Sequence, residues 1–255
     1  MKKSIFLYGA SLLALILIIM LIVALSKSDQ FFEGTSKRQF YVLAVSWQPA
    51  FCEKLPNRPE CRSQRAGRFD ASAFSLHGLW PQPSGNTYCN VPSDLVQKDK
   101  SRRWSELPKL DLSASLRKEL AKKMPGYRSF LHRHEWYKHG VCMPDLTAEE
   151  YFRISLNLLD GLNASEVRTL MIQNIGLQLE SRQLKAAFVR AFGKEADQRV
   201  TVDCYRDDGR RLIQELKIHL AGNMDTIREL KQAILEGEKV GRSCPVGIVD
   251  PVGLQ

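Results

Sequence analysis

Six cysteines, at positions 52, 61, 89, 142, 204 and 244, follow an amino-terminal stretch that is apolar from Ile5 to Leu25, broken only by Tyr8, Gly9 and Ser11. Together these features constrain what the chain can become. Lys2 and Lys3 precede the apolar run, residues 1–26 hold no acid, and Ala24-Leu25-Ser26 offers the small residues that signal peptidase needs. The run is also long enough to span a bilayer, so a cleaved signal peptide and an uncleaved anchor over residues 5–25 both fit. With the lysines kept on the cytoplasmic side, everything after Ser26 is exported in either case, to the periplasm or the medium. Such a compartment is oxidising, so disulfides are the expected state of all six cysteines. Six cysteines allow fifteen pairings, and spacing alone favours only a short Cys52–Cys61 loop. No CxxC pair with a matching second pair is present, which argues against a structural zinc ribbon.

Beyond residue 26, residues 27–38 read as a linker and 39–255 as one domain. Hydrophobic residues make up 44% of the 255, enough to bury a sizeable core, which excludes wholesale disorder and a polytopic membrane protein. The formal charge of +9 leans toward a polyanionic partner without specifying fold or chemistry. Phe40 to Trp47 is rich in β-branched and aromatic residues and reads as a buried strand ended by Pro49, and Ala73 to Trp80 reads as a second strand. Cys52 to Arg68 and most of Ser84 to Pro108 read as loops. Leu112, Leu116, Leu120 and Met124 mark one face of a helix stopped by Pro125-Gly126. Thr147-Ala148-Glu149-Glu150 fits a capping box that opens a helix with Tyr151, Ile154, Ser155, Leu158 and Leu159 inward. Further helices are expected near 164–173, 181–192 and 224–236, and a hairpin from Val200 to Leu220 turning at Asp207-Asp208-Gly209. Strands and helices alternate without a βαβ rhythm, so the expected class is α+β, a central antiparallel sheet with packed helices, disulfide-stabilised.

The chemistry lies in the histidines. His77 sits in Phe74-Ser75-Leu76-His77-Gly78-Leu79-Trp80-Pro81; a second segment reads His134-Glu135-Trp136-Tyr137-Lys138-His139-Gly140-Val141-Cys142. On a helix turning about 100° per residue, His134, Glu135, Lys138 and His139 share an arc of roughly 140° while Trp136 points away. Two imidazoles, a carboxylate and an ammonium would thus face one cleft. That set suits phosphoryl transfer on RNA: one imidazole removes the ribose 2′-OH proton, another protonates the departing 5′-oxygen, and the cations stabilise charge on the non-bridging oxygens.

The two segments resemble the active-site segments of the ribonuclease T-two family, endoribonucleases of low base specificity, with Cys89 between them and Trp47-Gln48-Pro49 and Cys52 upstream. The resemblance is firm over about residues 40–150. It implies His77 as general acid, His139 as general base, His134 as a phosphate-binding imidazole, and Glu135 and Lys138 as stabilisers of the transition state. It further implies Cys89–Cys142 and Cys204–Cys244 pairs and a substrate-binding role for Gln48, Trp80 and Tyr88, the two rings stacking on a nucleobase. RNA is the implied substrate, with DNA untouched, no cofactor, no metal, a monomer, and membrane contact only through an uncleaved amino terminus. Gln82 stands where some members carry an aspartate, which leaves base preference open.

Blander readings accompany the rest. His219 reads as structural and Trp136 as core. His132 reads as a contact to a second base or a solvated side chain, and Arg102-Arg103 and Arg210-Arg211 as solvated charge. Asn163-Ala164-Ser165 matches a glycosylation acceptor. A zincin needs histidines at i and i+4, and here i+4 from His134 is Lys138, so a metallohydrolase is the weaker alternative. A non-catalytic exported RNA-binding protein is the other.

Overall fold

The run from Tyr41 to Val45 is apolar on both of its faces, as a strand covered from two sides must be. In the computed structural model it forms β1 (Gln39–Ser46), with Leu43, Ala44 and Val45 fully buried. The structure describes residues 38–143, 146–223 and 226–254, together with Met20. The expected export segment at 1–26, Met20 aside, and linker residues 27–37 lie outside the described residues. Among the described residues no helix is long and apolar enough to cross a membrane, and Arg38–Gln255 forms one compact unit.

β1 is flanked by β2 (Ser75–Pro81) and β5 (Arg210–Gly222), antiparallel to both. β4 (Val200–Asp207) pairs antiparallel with β5 through a turn whose Gly209 has φ +84°, the expected hairpin. β3 (Gln178–Glu180) lies antiparallel to β6 (Val246–Ile248), and the order is β2-β1-β5-β6-β3 with β4 on β5. The class is α+β. Among the described strands the sheet departs from an antiparallel one where β6 meets β5 in parallel at Leu212, beyond the end of the β1 pairing. The Cys204–Cys244 disulfide delivers the chain before β6 to the hairpin, so a three-residue strand can run in the direction of β5.

Three helices lie where the patterns put them. Leu112, Leu116, Leu120 and Met124 are all buried on α4 (Ala114–Lys123) and its flanks. α6 (Ala148–Asn163) starts in the anticipated box: Thr147 Oγ1 accepts from the Glu150 N–H, and the Thr147 N–H donates to Glu150 Oε2 at 2.8 Å. α8 (Ser181–Phe192) buries Leu184, Ala187 and Phe188. α7 (Glu166–Gln173) follows α6, whereas α9 (Leu230–Glu236) begins only after a short 3-10 turn at Thr226–Arg228.

Two loop readings are corrected. Cys52 to Arg68 holds the end of α1 (Gln48–Lys54) and all of α2 (Pro59–Arg62), clipped together by Cys52–Cys61. Pro49 opens α1 rather than merely ending β1, because a proline at the first helical turn forgoes no hydrogen bond. Within Ser84–Pro108 lies α3 (Ser93–Lys100), whose only large apolar residues are Leu95 and Val96, too few for a visible period. Asn163 is no free glycan acceptor: its amide donates to Phe74 O and accepts from Phe74 N, both at 2.9 Å.

Candidate active site

His77 leaves β2 at an irregularity. Ala44 pairs with Gly78 and Val45 with Leu76, so His77 is the extra residue of a β-bulge, a device that re-aims a side chain. A second bulge interrupts β5, where Asp203 pairs with Glu215 and Cys204 with Ile213, leaving Gln214 unpaired. The two side chains meet across the end of β1: His77 Nδ1 lies 2.6 Å from Glu215 Oε2. Burial pushes the His77 imidazole down, but the hydrogen bond and charge of Glu215, aided by Glu135, outweigh it and raise its pKa to about 8.

The second segment forms α5 (Leu131–Lys138), with His139 as its C-cap residue. Trp136 turns to the core and meets Tyr151 edge-on at 5.8 Å, as its place on the helical arc implies. Glu135 points the other way and is fully buried. Its Oε2 accepts the Trp80 indole N–H at 2.8 Å, and its Oε1 stands 3.6 Å from His77 Nε2 and 3.8 Å from His134 Nε2. Gly78 makes that approach possible, since a Cβ there would lie 1.9 Å from Glu135 Oε2. His139, 7% exposed, stacks on the Trp80 ring at 5.4 Å and lies 6.4 Å from His134, ring centre to ring centre. Burial, then the charges of Lys138, His134 and His77, lower its pKa to about 3.

His134 is fixed from outside the segment. Its Nδ1 is 2.8 Å from both oxygens of Asp99 on α3, and its ring stacks on Trp104 at 4.7 Å. Asp99 also accepts a hydrogen bond from the Tyr88 hydroxyl at 2.7 Å, and burial, then this bond, raises the phenol's pKa. The Tyr88 N–H donates to Lys138 O at 2.8 Å, and the adjoining Cys89–Cys142 disulfide ties this loop to the end of α5.

A cleft of about 450 Å³ runs past these groups, lined in part by His77, His134, Lys138, Glu215, Tyr88 and Gln48. Gln48 is buried and accepts from the Ser75 hydroxyl at 3.3 Å. Trp80 is engaged inside the site, its N–H given to Glu135 and its ring set against His77 and His139. His132 is neither solvated nor presented to the cleft: it is buried against Tyr127 at 4.1 Å, and burial, then Arg133, lower its pKa to about 4. Arg210 is paired with Asp207 and Glu53 rather than solvated. Sequence reasoning missed Glu215, Asp99 and Trp104. Glu215 carried no distinct signal, since its strand also holds Gln214, Lys217 and His219; Asp99 and Trp104 lay in a segment read as loop. Among the described residues no three His, Cys, Asp or Glu side chains are grouped to hold a metal ion.

The Ribonuclease T2 family profile matches residues 38–233. Ribonuclease I of Escherichia coli (strain K12) is 30% identical over 185 residues, 64% of this chain and 69% of that protein. Ribonuclease 1 of Arabidopsis thaliana is 29% identical over 164 residues, 63% of this chain and 64% of that protein. The chain thus spans about two thirds of the length of these relatives. Among solved structures, ribonuclease MC1 from bitter gourd seeds gives a TM-score of 0.52 at 17% identity, covering 82% of this chain and 99% of that one. The SF11-RNase of Nicotiana alata gives 0.52 at 16%, covering 82% and 92%; both likenesses speak to the fold. With a family match over most of its length, and with the two histidine segments meeting in one cleft, the chain belongs to the Ribonuclease T2 family.

Proposed function

We propose that the protein is an exported endoribonuclease that cleaves single-stranded RNA through its own 2′-OH, leaving 2′,3′-cyclic and then 3′-phosphate ends with low base specificity. One observation carries the reading: His77 and His139, one imidazole from each histidine segment, pack on the same Trp80 ring at 5.2 and 5.4 Å, and that ring's N–H is held by Glu135. His77, raised to about 8, holds a proton at neutral pH, while His139, lowered to about 3, is free to take one. Titratable groups pushed apart in this way mark an acid and a base. His139 takes the 2′-OH proton as the 2′-oxygen forms its bond to phosphorus; as the bond to the 5′-oxygen breaks, His77 Nε2 supplies the proton to that oxygen. Lys138 and the Asp99-oriented His134 offset the charge growing on the non-bridging oxygens. Glu135, with Oε1 facing the Nε2 atoms of both His77 and His134, holds the two rings in register.

The relatives' names agree with RNA as substrate, and a variant of ribonuclease MC1 has been solved with 5′-GMP. Only the ribose supplies the nucleophile, so DNA of the same sequence stays intact. Export rests on residues 1–26, and the mass of the protein recovered from its host decides between cleavage and anchoring. The central test incubates the protein with single-stranded RNA and excess EDTA and identifies the ends. Cyclic-phosphate ends that fall by about a hundredfold or more in H77A and H139A are expected. Intact RNA, or cleavage only after metal is restored, overturns the reading.

A further inference from the structure

We propose that Glu215 is the positioning residue of the proton donor: its carboxylate accepts the Nδ1 proton of His77 and so leaves the Nε2–H for the departing 5′-oxygen. The inference rests on the function proposed above and deepens it.

The geometry is specific. His77 and Glu215 belong to strands two apart in the sheet, and each reaches the other because a bulge sits at or beside it. Ser46 of β1 pairs with both Ser75 and Glu215, so only a small residue lies between the two strands at this level. The contact of 2.6 Å is in the short, charge-assisted range. Glu215 is itself held, its Oε1 being 3.7 Å from Lys217 Nζ, and Lys217 pairs at 2.6 Å with Asp203 on β4. With Nδ1 occupied, the imidazole has one proton-bearing nitrogen left, Nε2, directed toward Glu135 at 3.6 Å and into the cleft.

Every charged group facing the ring can be assigned a direction. Glu215 from β5 and Glu135 from α5 favour the imidazolium, whereas Lys138 at the end of α5 opposes it. Burial opposes it most, and Glu215 offsets burial with both a hydrogen bond and a charge, to which Glu135 adds a charge. His77 thus depends on a residue 138 positions away for its role as an acid.

The test compares wild type with E215Q and E215D on two substrates: a dinucleoside phosphate whose leaving group is a 5′-alkoxide, and a nucleoside 3′-(4-nitrophenyl phosphate), whose leaving group departs without a proton. On the dinucleotide E215Q should lose kcat about 10- to 100-fold with KM little changed. Its alkaline limb should move down from about 8, in step with the His77 resonance followed by NMR. On the nitrophenyl substrate the loss should shrink at least tenfold, and E215D should recover part of the dinucleotide rate. Equal losses on both substrates, or an unmoved His77 titration, overturn the positioning role while leaving the ribonuclease reading intact. If wild type cleaves neither substrate, the parent reading fails and this one with it.

Discussion

Gly78 is the residue on which the contact between the two histidine segments turns. An added methyl would sit 1.9 Å from Glu135 Oε2 and 2.6 Å from Trp80 Nε1, so carboxylate and indole would both have to move. G78A is expected to destabilise the fold by about 1–3 kcal/mol through overpacking and to cut kcat by roughly tenfold or more as Glu135 leaves the two imidazoles. Thermal unfolding and initial rates on one preparation separate these effects; a full-rate G78A would mean that Glu135 does not need its place. Asp99 poses the complementary case, because it orients a ring without touching the reacting atoms. D99N keeps one acceptor oxygen for His134 Nδ1 or the Tyr88 hydroxyl, turns the other carboxylate oxygen into an N–H donor and removes the charge. A fall of about tenfold in kcat/KM, carried mainly by KM, is expected from losing a charged hydrogen bond, and an unchanged KM would count against phosphate binding by His134.

At the scale of elements, legibility in the sequence followed from how local each signal is. α4 and α6 could be read because their caps and apolar stripes lie within one segment, and the two histidine motifs because each is continuous. α3 escaped since it is mostly polar and is held by tertiary bonds, Asp99 to His134 and Tyr88, rather than by an amphipathic face. The Glu215–His77 pair escaped because bulges in two strands, not spacing, bring the residues together. The tie between Cys89 and Cys142 bridges these cases: the cysteines were visible, their pairing only through the family likeness. Its separation of 53 residues closes a loop that contains α3, α4 and α5. Replacing both cysteines by serine should lower stability by about 2–4 kcal/mol. It should also raise KM more than it lowers kcat, since the Tyr88 loop is freed while His77 and Glu215 on the sheet stay in place. Urea titration and steady-state rates check this, and a selective loss of kcat would contradict it.

Across the whole molecule, one buried acid ties the first and last described strands and makes stability depend on pH. Asp250 follows β6, is fully buried, and its backbone oxygen accepts the indole N–H of Trp47 at the end of β1 at 2.8 Å. Its carboxylate oxygens have no hydrogen-bond partner, and the nearest cation, Arg210, stands 3.9 Å away and is shared with Glu53 and Asp207. Burial first, then the negative charge of Glu53, push the Asp250 carboxyl up to about 7 against the pull of Arg210. The folded state therefore keeps a proton that the unfolded chain releases near 3.8. Between those values the folded form binds more protons, so stability falls as pH rises through the window and the loss is complete above about 7. D250N keeps the shape and the Trp47 contact without the charge, and should be more stable than wild type at pH 8 by on the order of 2 kcal/mol, a few degrees in Tm. Near pH 4, where wild-type Asp250 is protonated when folded, the difference should nearly vanish. Thermal unfolding of both proteins from pH 4 to 8 decides it: parallel curves would show that Arg210 fully compensates the buried charge. If His77 acts as the proposed acid, rising pH weakens the fold through Asp250 before it takes the proton from His77, and D250N should widen the alkaline range of stability without moving the limb set by His77.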